Sequence, residues 1–174
     1  MTSTDGSKSK NLRLIIFAVV GVSIIVGGWY LMQIQGDKLD FSIPDIDRDT
    51  VTLSDYSGEV VVLDFMATWC GPCRAAMRDL LSAHKDIGDQ FVLISISVDP
   101  NFDTVPVLRD WAEEYGATWI HARDLADPPV TQRFGVSGIP TYVILDREGE
   151  IRFRHVGPVS ALTLKTEILS LVNK

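Results

Sequence analysis

From Leu12 to Met32 nearly every position is apolar, with Arg13 the one charge, set beside its start. A run of this length matches the roughly 20 residues that a helix needs to cross a bilayer core. Trp29 and Tyr30 stand at its far end, where interfacial aromatics collect. After a polar stretch the pattern changes to short periodic segments. Residues 41–46 and 50–53 read as extended pieces around a turn at 47–49, and residues 54–58 as a turn or a single helical turn. Residues 60–66 and 91–98 are short, apolar and rich in β-branched side chains, which predicts two buried strands. Between them a helix is predicted after Cys73, from Arg74 to about Ile87. Its apolar face would be Met77, Leu80, Leu81 and His84, and Gly88 would end it. Asp99-Pro100 stops the second strand. A helix is then predicted over 104–115, a short strand over 118–121, and another helix opening at Pro128-Pro129. The strand 142–145 turns through 146–149 into a partner at 151–155. Pro158 would open the last helix, with Leu164, Ile168, Leu169 and Val172 sharing a face. Alternating strands and helices followed by a hairpin and a helix predict an α/β sandwich whose central sheet mixes parallel and antiparallel pairing.

The pattern divides the chain into a tail over 1–11, a membrane anchor over 12–32, a linker over 33–40 and a globular domain over 41–174. A cleaved signal peptide competes with a retained anchor. The apolar run exceeds the about 7–15 residues usual in a signal peptide, and no small-residue cleavage site follows it. Lys8 and Lys10 precede the run and Arg13 stands at its start, whereas Asp37, Asp40, Asp45, Asp47 and Asp49 follow it with only Lys38 and Arg48. Positive charge stays in the cytoplasm, so the tail is expected inside and the domain outside the cell membrane. That is the oxidising side, where disulfides persist.

Charge narrows the function classes. Residues 37–174 carry 13 Lys and Arg against 22 Asp and Glu. Such a domain lacks the basic face that nucleic-acid binding needs. His84, His121 and His155 are scattered without metal spacing, and no role is assigned to them.

The chemistry concentrates in Trp69-Cys70-Gly71-Pro72-Cys73, which holds the only two cysteines of the chain. The motif falls where a strand ends and a helix begins. Free helix-terminal N–H groups there favour a thiolate on the first sulfur. Cys70 is therefore the expected nucleophile and the exposed member of the pair. Cys73, one turn along, is expected to face inward and to resolve a mixed disulfide at Cys70. A zinc site would need further ligands, and neither a second C-x-x-C nor a suitably placed histidine is present. No metal and no cofactor are expected.

Trp-Cys-Gly-Pro-Cys, preceded by Asp64-Phe65 and followed by a helix, resembles the thioredoxin superfamily. Within it the chain is most similar to membrane-tethered thiol-disulfide oxidoreductases of the TlpA/ResA type. The resemblance implies a thioredoxin-like three-layer sandwich with an N-terminal β-hairpin. Residues 99–121 would be the inserted helix and strand shared by TlpA-like proteins and peroxiredoxins. It also implies site roles. Asp64, six residues before Cys70, would be the buried carboxylate that takes the proton of the resolving cysteine. The alternative is a strand-end aspartate that reaches solvent. Pro140, in Gly138-Ile139-Pro140-Thr141, would be the cis-proline beside the cysteines, with Ile139 offering its backbone to an extended substrate; the alternative is an ordinary trans proline in a turn. Trp69 and Ile139 would form an apolar rim, unless Trp69 is a core aromatic.

The function implied is reduction of disulfides in extracytoplasmic proteins, for example apocytochrome c or copper-site assembly proteins. A membrane donor of the DsbD/CcdA type would supply the electrons. A thiol oxidase using the same pair is an alternative. A peroxiredoxin-like thiol peroxidase is another, although Pro-x-x-x-Thr/Ser-x-x-Cys is absent around Cys70. The third is a non-catalytic binding or chaperone module that keeps the fold.

Overall fold

The computed structural model describes residues 17, 19–28, 39–47 and 49–173 of the 174-residue chain. It contains two compact units, Met1–Lys38 and Leu39–Lys174. In the first, residues 19–28 are helical, with Phe17, Val19, Val20, Val22, Ile24, Ile25 and Val26 exposed. Among the described residues no helix is long and apolar enough to cross a membrane. The remainder of the expected anchor, 12–16, 18 and 29–32, lies outside the described residues.

The second unit opens with a hairpin of β1 (Ser42–Pro44) and β2 (Thr50–Thr52), followed by a 3-10 turn at Leu53–Tyr56. It continues as β3 (Val61–Met66), α1 (Gly71–Ile87), β4 (Val92–Ser97), α2 (Val105–Tyr115) and β5 (Ile120–Arg123). Then follow α3 (Val130–Arg133), β6 (Thr141–Leu145), β7 (Ile151–Val156) and α4 (Ala161–Val172). The five-stranded sheet has the order β5-β4-β3-β6-β7. The pairs β3–β4 and β4–β5 are parallel, whereas β3–β6 and β6–β7 are antiparallel. The expected mixed sheet is present.

Strand parity sorts the core into two layers. Val62 and Met66 of β3 pack with Ala76, Met77 and Leu80 of α1, Leu108 and Trp111 of α2, and Leu164 and Ile168 of α4. Leu63 and Phe65 point to the other face, against Phe41, Ile43 and Val51 of the hairpin region and Val130 and Phe134 at α3. Helices thus cover one face, and the hairpin with α3 covers the other. The hairpin also shields the sheet edge: Asp45 bridges Ala122, and the Ile46 amide donates to the His121 carbonyl at 3.0 Å.

Several local expectations are corrected. The buried face of α1 is Cys73, Ala76, Met77, Leu80, Ala83 and Ile87, so Leu81 and His84 lie at its margin. The small alanines carry the close helix–sheet contact, and a pattern weighted by large side chains passes over them. The strand expected at 118–121 begins two residues later. Pro128 and Pro129 precede α3 rather than open it, with Asp127–Pro128 cis and Asp124 accepting from the Val130 and Thr131 amides at 2.8 and 2.9 Å. Likewise Pro158 lies ahead of α4, which Ser160 caps by accepting from the Thr163 amide at 3.1 Å.

Candidate active site

Cys70 sits at the N-cap of α1, with Pro72 in the first turn, where a fixed φ suits a helix start. Its Sγ accepts from the Cys73 amide at 3.1 Å, and its carbonyl takes the Arg74 amide at 3.0 Å. Cys70 and Cys73 are joined in a disulfide, and no cysteine is free. The expectation of an exposed Cys70 is corrected: it is only 4% exposed, close to the 3% of Cys73. The disulfide turns Cys70 down onto the loop before β6, where its Sγ lies 3.9 Å from the Ile139 carbonyl. Gly71 and Pro72 remain exposed above the buried pair.

Trp69 is the exposed large apolar side chain beside the pair, at 54%. It is not a core aromatic. Its indole Nε1–H donates to Asp99 at 3.1 Å, which fixes the ring over the loop that follows β4. Ile139 is half-buried and its bond to Pro140 is cis. The Pro140 carbonyl accepts from the Gly157 amide at 2.7 Å, and φ of +102° at Gly157 is a conformation that favours glycine. Trp69 thus follows β3 directly before Cys70, while Ile139 and Pro140 lead into β6, with the Ile139 carbonyl 3.9 Å from the Cys70 sulfur.

Asp64 lies beneath. It alternates with Leu63 and Phe65, so its carboxylate is on the α1 side of the sheet and only 2% exposed. Burial pushes its pKa up to about 7, and a hydrogen bond from Ser95 opposes that rise. The Ser95 hydroxyl donates to Oδ2 at 2.9 Å, while Oδ1 is buried without a partner among the described residues. Ser95 accepts in turn from the Trp119 Nε1–H at 2.9 Å. This leaves the serine proton for Asp64 alone. Tyr142 is the register partner of Asp64 on β6, and burial, then the neighbouring carboxylate, raise its phenol well above the ordinary value. Asp64 can accept a proton near neutrality without leaving the protein interior.

Sequence reading missed Ser95, Trp119 and Asp103. Asp103 is fully buried and accepts from the Thr68 amide at 3.1 Å, the Thr68 hydroxyl at 2.5 Å and the Ser97 hydroxyl at 2.5 Å. It pins the turn that carries Trp69 and Cys70. Arg74 adds a second brace, with Nε donating to the Thr68 carbonyl at 2.9 Å and its guanidinium over the Trp111 ring. His121 is buried, its Nδ1 facing the Trp119 carbonyl at 2.8 Å, and burial lowers its pKa. Among the described residues no cluster of side chains fit to hold a metal ion is present.

The arrangement also has known counterparts. The chain is 26% identical over 151 residues to the thioredoxin-like protein YneN of Bacillus subtilis, covering 81% of this chain and 88% of that protein. It is 26% identical over 166 residues to the thiol-disulfide oxidoreductase ResA of Geobacillus thermodenitrificans, covering 92% of each. A crystal structure described as a putative thiol:disulfide interchange protein DsbE of Chlorobium tepidum superposes with a TM-score of 0.67. It is 29% identical, with 76% of this chain and 93% of that one covered. The AhpC/TSA family profile matches residues 35–154. With its cysteine pair bonded at the head of α1, the chain belongs to the AhpC/TSA family and is a thiol-disulfide oxidoreductase of thioredoxin-like fold.

Proposed function

We propose that the chain is a membrane-tethered reductase of protein disulfides, with Cys70 as nucleophile, Cys73 as resolving thiol and Asp64 as proton acceptor. The observation that carries this reading is the Cys70–Cys73 disulfide at the head of α1, with its Cys70 sulfur between the Ile139 carbonyl and the Cys73 amide, together with a buried carboxylate of pKa about 7 on the preceding strand. In the dithiol form, the Cys73 amide that now meets Sγ stabilises a Cys70 thiolate. That thiolate attacks a substrate disulfide, forms the mixed disulfide and expels one substrate thiolate. Cys73 then gives its proton to Asp64 and attacks the Cys70 sulfur. This closes the enzyme disulfide and releases the second thiolate. Two electrons pass from the dithiol to the substrate, and a dithiol donor must return them. A membrane donor of the DsbD/CcdA type fits that need, and apocytochrome c or a copper-site assembly protein fits as substrate.

Tethering rests on the apolar run at 12–32, whose described part is helical with exposed apolar side chains. The basic residues ahead of it favour an extracytoplasmic domain.

Cys73→Ser in the full chain, expressed in cells, is expected to accumulate substrate adducts through Cys70, with few in the Cys70→Ser counterpart. Equal trapping through either sulfur overturns the assignment of nucleophile and resolver. The reduction potential decides direction. A value below roughly −200 mV supports a reductase, and one near the about −120 mV of DsbA supports an oxidase.

A further inference from the structure

The strand directions collect one kind of side chain on one edge of the sheet. β3, β4 and β5 run in parallel, and β7 runs the same way because it is antiparallel to β6. The carboxyl ends of those four strands, and the start of β6 with Pro140, therefore share the edge that holds the disulfide. Among the described residues of the Leu39–Lys174 unit, the large apolar side chains that are exposed are Trp69, Phe102, Leu125, Val156 and Leu162. Four of these five follow or end a strand on this edge: Trp69 after β3, Phe102 after β4, Leu125 after β5 and Val156 at the end of β7. Only Leu162, on α4, does not. Single exposed apolar residues mean little, whereas several gathered along the edge of a reactive site mean contact with a partner.

The loop after β4 is held firmly. The Asp99 carboxylate accepts from the Trp69 indole at 3.1 Å and from the Phe102 amide at 3.3 Å, so one side chain ties both loops. From β5, Arg123 donates to the Pro100 carbonyl at 2.5 Å and to the Asp103 carbonyl at 3.1 Å. Neighbouring strands lie about 4.8 Å apart, so β3 and β5 are separated by about 10 Å, the span of about three residues of extended chain. Asp127 is exposed on the last of these loops and Asp99 half-exposed on the middle one.

We propose that Phe102 and Leu125 extend the apolar rim at Trp69 across the β4 and β5 strand ends, forming a docking band for an extended, apolar, non-acidic segment beside the reactive cysteine of the protein substrate. The occupant follows from continuity with the disulfide. A polypeptide whose sulfur reaches Cys70 must pass Trp69, and a chain continuing over the β4 side meets Phe102 and then Leu125. The band reads side chains about two to four residues from the substrate cysteine. Asp99 and Asp127 disfavour acidic ones there. The inference rests on the reductase reading above and adds to it the class of sequence selected.

The test uses the full chain in detergent, pre-reduced, in single-turnover reaction with two kinds of disulfide. One is a set of disulfide-linked peptide dimers with Leu and Phe, Ser, or Asp at the flanking positions. The other is hydroxyethyl disulfide. Each reaction forms the Cys70–Cys73 bond and reduces one substrate S–S bond to two thiols. The double variant Phe102→Ser/Leu125→Ser is expected to lose about tenfold in second-order rate with the apolar peptide, equivalent to about 1.4 kcal/mol. With hydroxyethyl disulfide it should stay within about twofold of the parent. Leu162→Ser should change neither rate. The parent should discriminate against the Asp peptide. Equal losses on both substrates, or no loss on the apolar peptide, overturn the docking band. So does a parent chain that self-associates when the double variant does not, because the band would then be an interface between copies. A parent that reduces neither kind of disulfide overturns the reductase reading itself, a different failure.

Discussion

Two buried carboxylates flank the cysteine loop, and their surroundings differ in a way that separates architecture from chemistry. Asp103, behind the turn that carries Trp69 and Cys70, meets three donors from Thr68 and Ser97. Asp64, within β3, meets one donor, and its Oδ1 has no partner among the described residues. Residue type and burial are the same in the two regions, so neither decides what the residue does. The number of donors does. A carboxylate whose oxygens are all engaged is an anchor for the loop, whereas one left short of donors takes up a proton readily.

The largest effect expected from breaking this contrast is the pH dependence of stability at Asp64. Its folded pKa of about 7 lies above the ordinary 3.8, so the folded state holds a proton that the unfolded state releases. The stability associated with the neutral form is therefore complete below about pH 4 and is lost as pH rises through about 7. The loss is on the order of 4 kcal/mol. Denaturant titrations of Asp64→Asn should show that slope removed, with the variant more stable than the parent at pH 8 and near it at pH 4. A variant that keeps the parental slope would assign the slope to other groups. The same substitution should slow release of the second substrate thiol by about a hundredfold at pH 7, the usual scale for a lost proton acceptor, as read in quenched-flow.

Asp103→Asn should move stability the opposite way. It puts an NH2 group where a hydroxyl or amide donor already points, and about 2–3 kcal/mol should be lost in the denaturant midpoint at pH 7. An unchanged midpoint would show that the three hydrogen bonds do not hold the turn. Ser95→Ala sharpens the contrast from the other side by removing the one donor to Asp64. The pH at which the resolving step reaches half its maximal rate should rise. About 1–2 kcal/mol of stability should go with the Trp119 N–H left unpaired. Asp99→Ala should be the mildest, at about 0.5 kcal/mol or less, because the indole it frees is already exposed. Its readout is a shift in Trp69 fluorescence without a change in midpoint.

The parts of the fold carried by continuous stretches were legible in the sequence. Residues 60–66 and 91–98 mark two strands of the sheet through short, mostly apolar stretches rich in β-branched side chains, broken only by Asp64 and by Ser95 and Ser97, and Gly88 marks the end of α1. The cysteine loop and the proline before β6 were recognised because their residue types are rare in that order. Partnerships across the sheet were not legible. Ser95 meets Asp64 from 31 positions away and Asp103 meets Thr68 from 35, and a serine in a strand or an aspartate in a loop carries no mark of such a partner. The burial of Cys70 was misjudged for a related reason. Its cover is supplied by the Ile139 loop, 69 positions on, while local sequence shows only the turn it sits in. The prolines misled because proline suits both a first helical turn and the residues leading into it. Asp124 and Ser160 decided the matter through hydrogen bonds.

The pairing of both cysteines with each other makes the chain its own electron counter. A molecule at rest carries two thiols or none, so labelling with a maleimide after denaturation adds two tags or zero to its mass. A population bearing one tag can arise only while one sulfur is occupied by something else. Intact mass spectrometry of the labelled protein would therefore weigh the captured cargo before its identity is known.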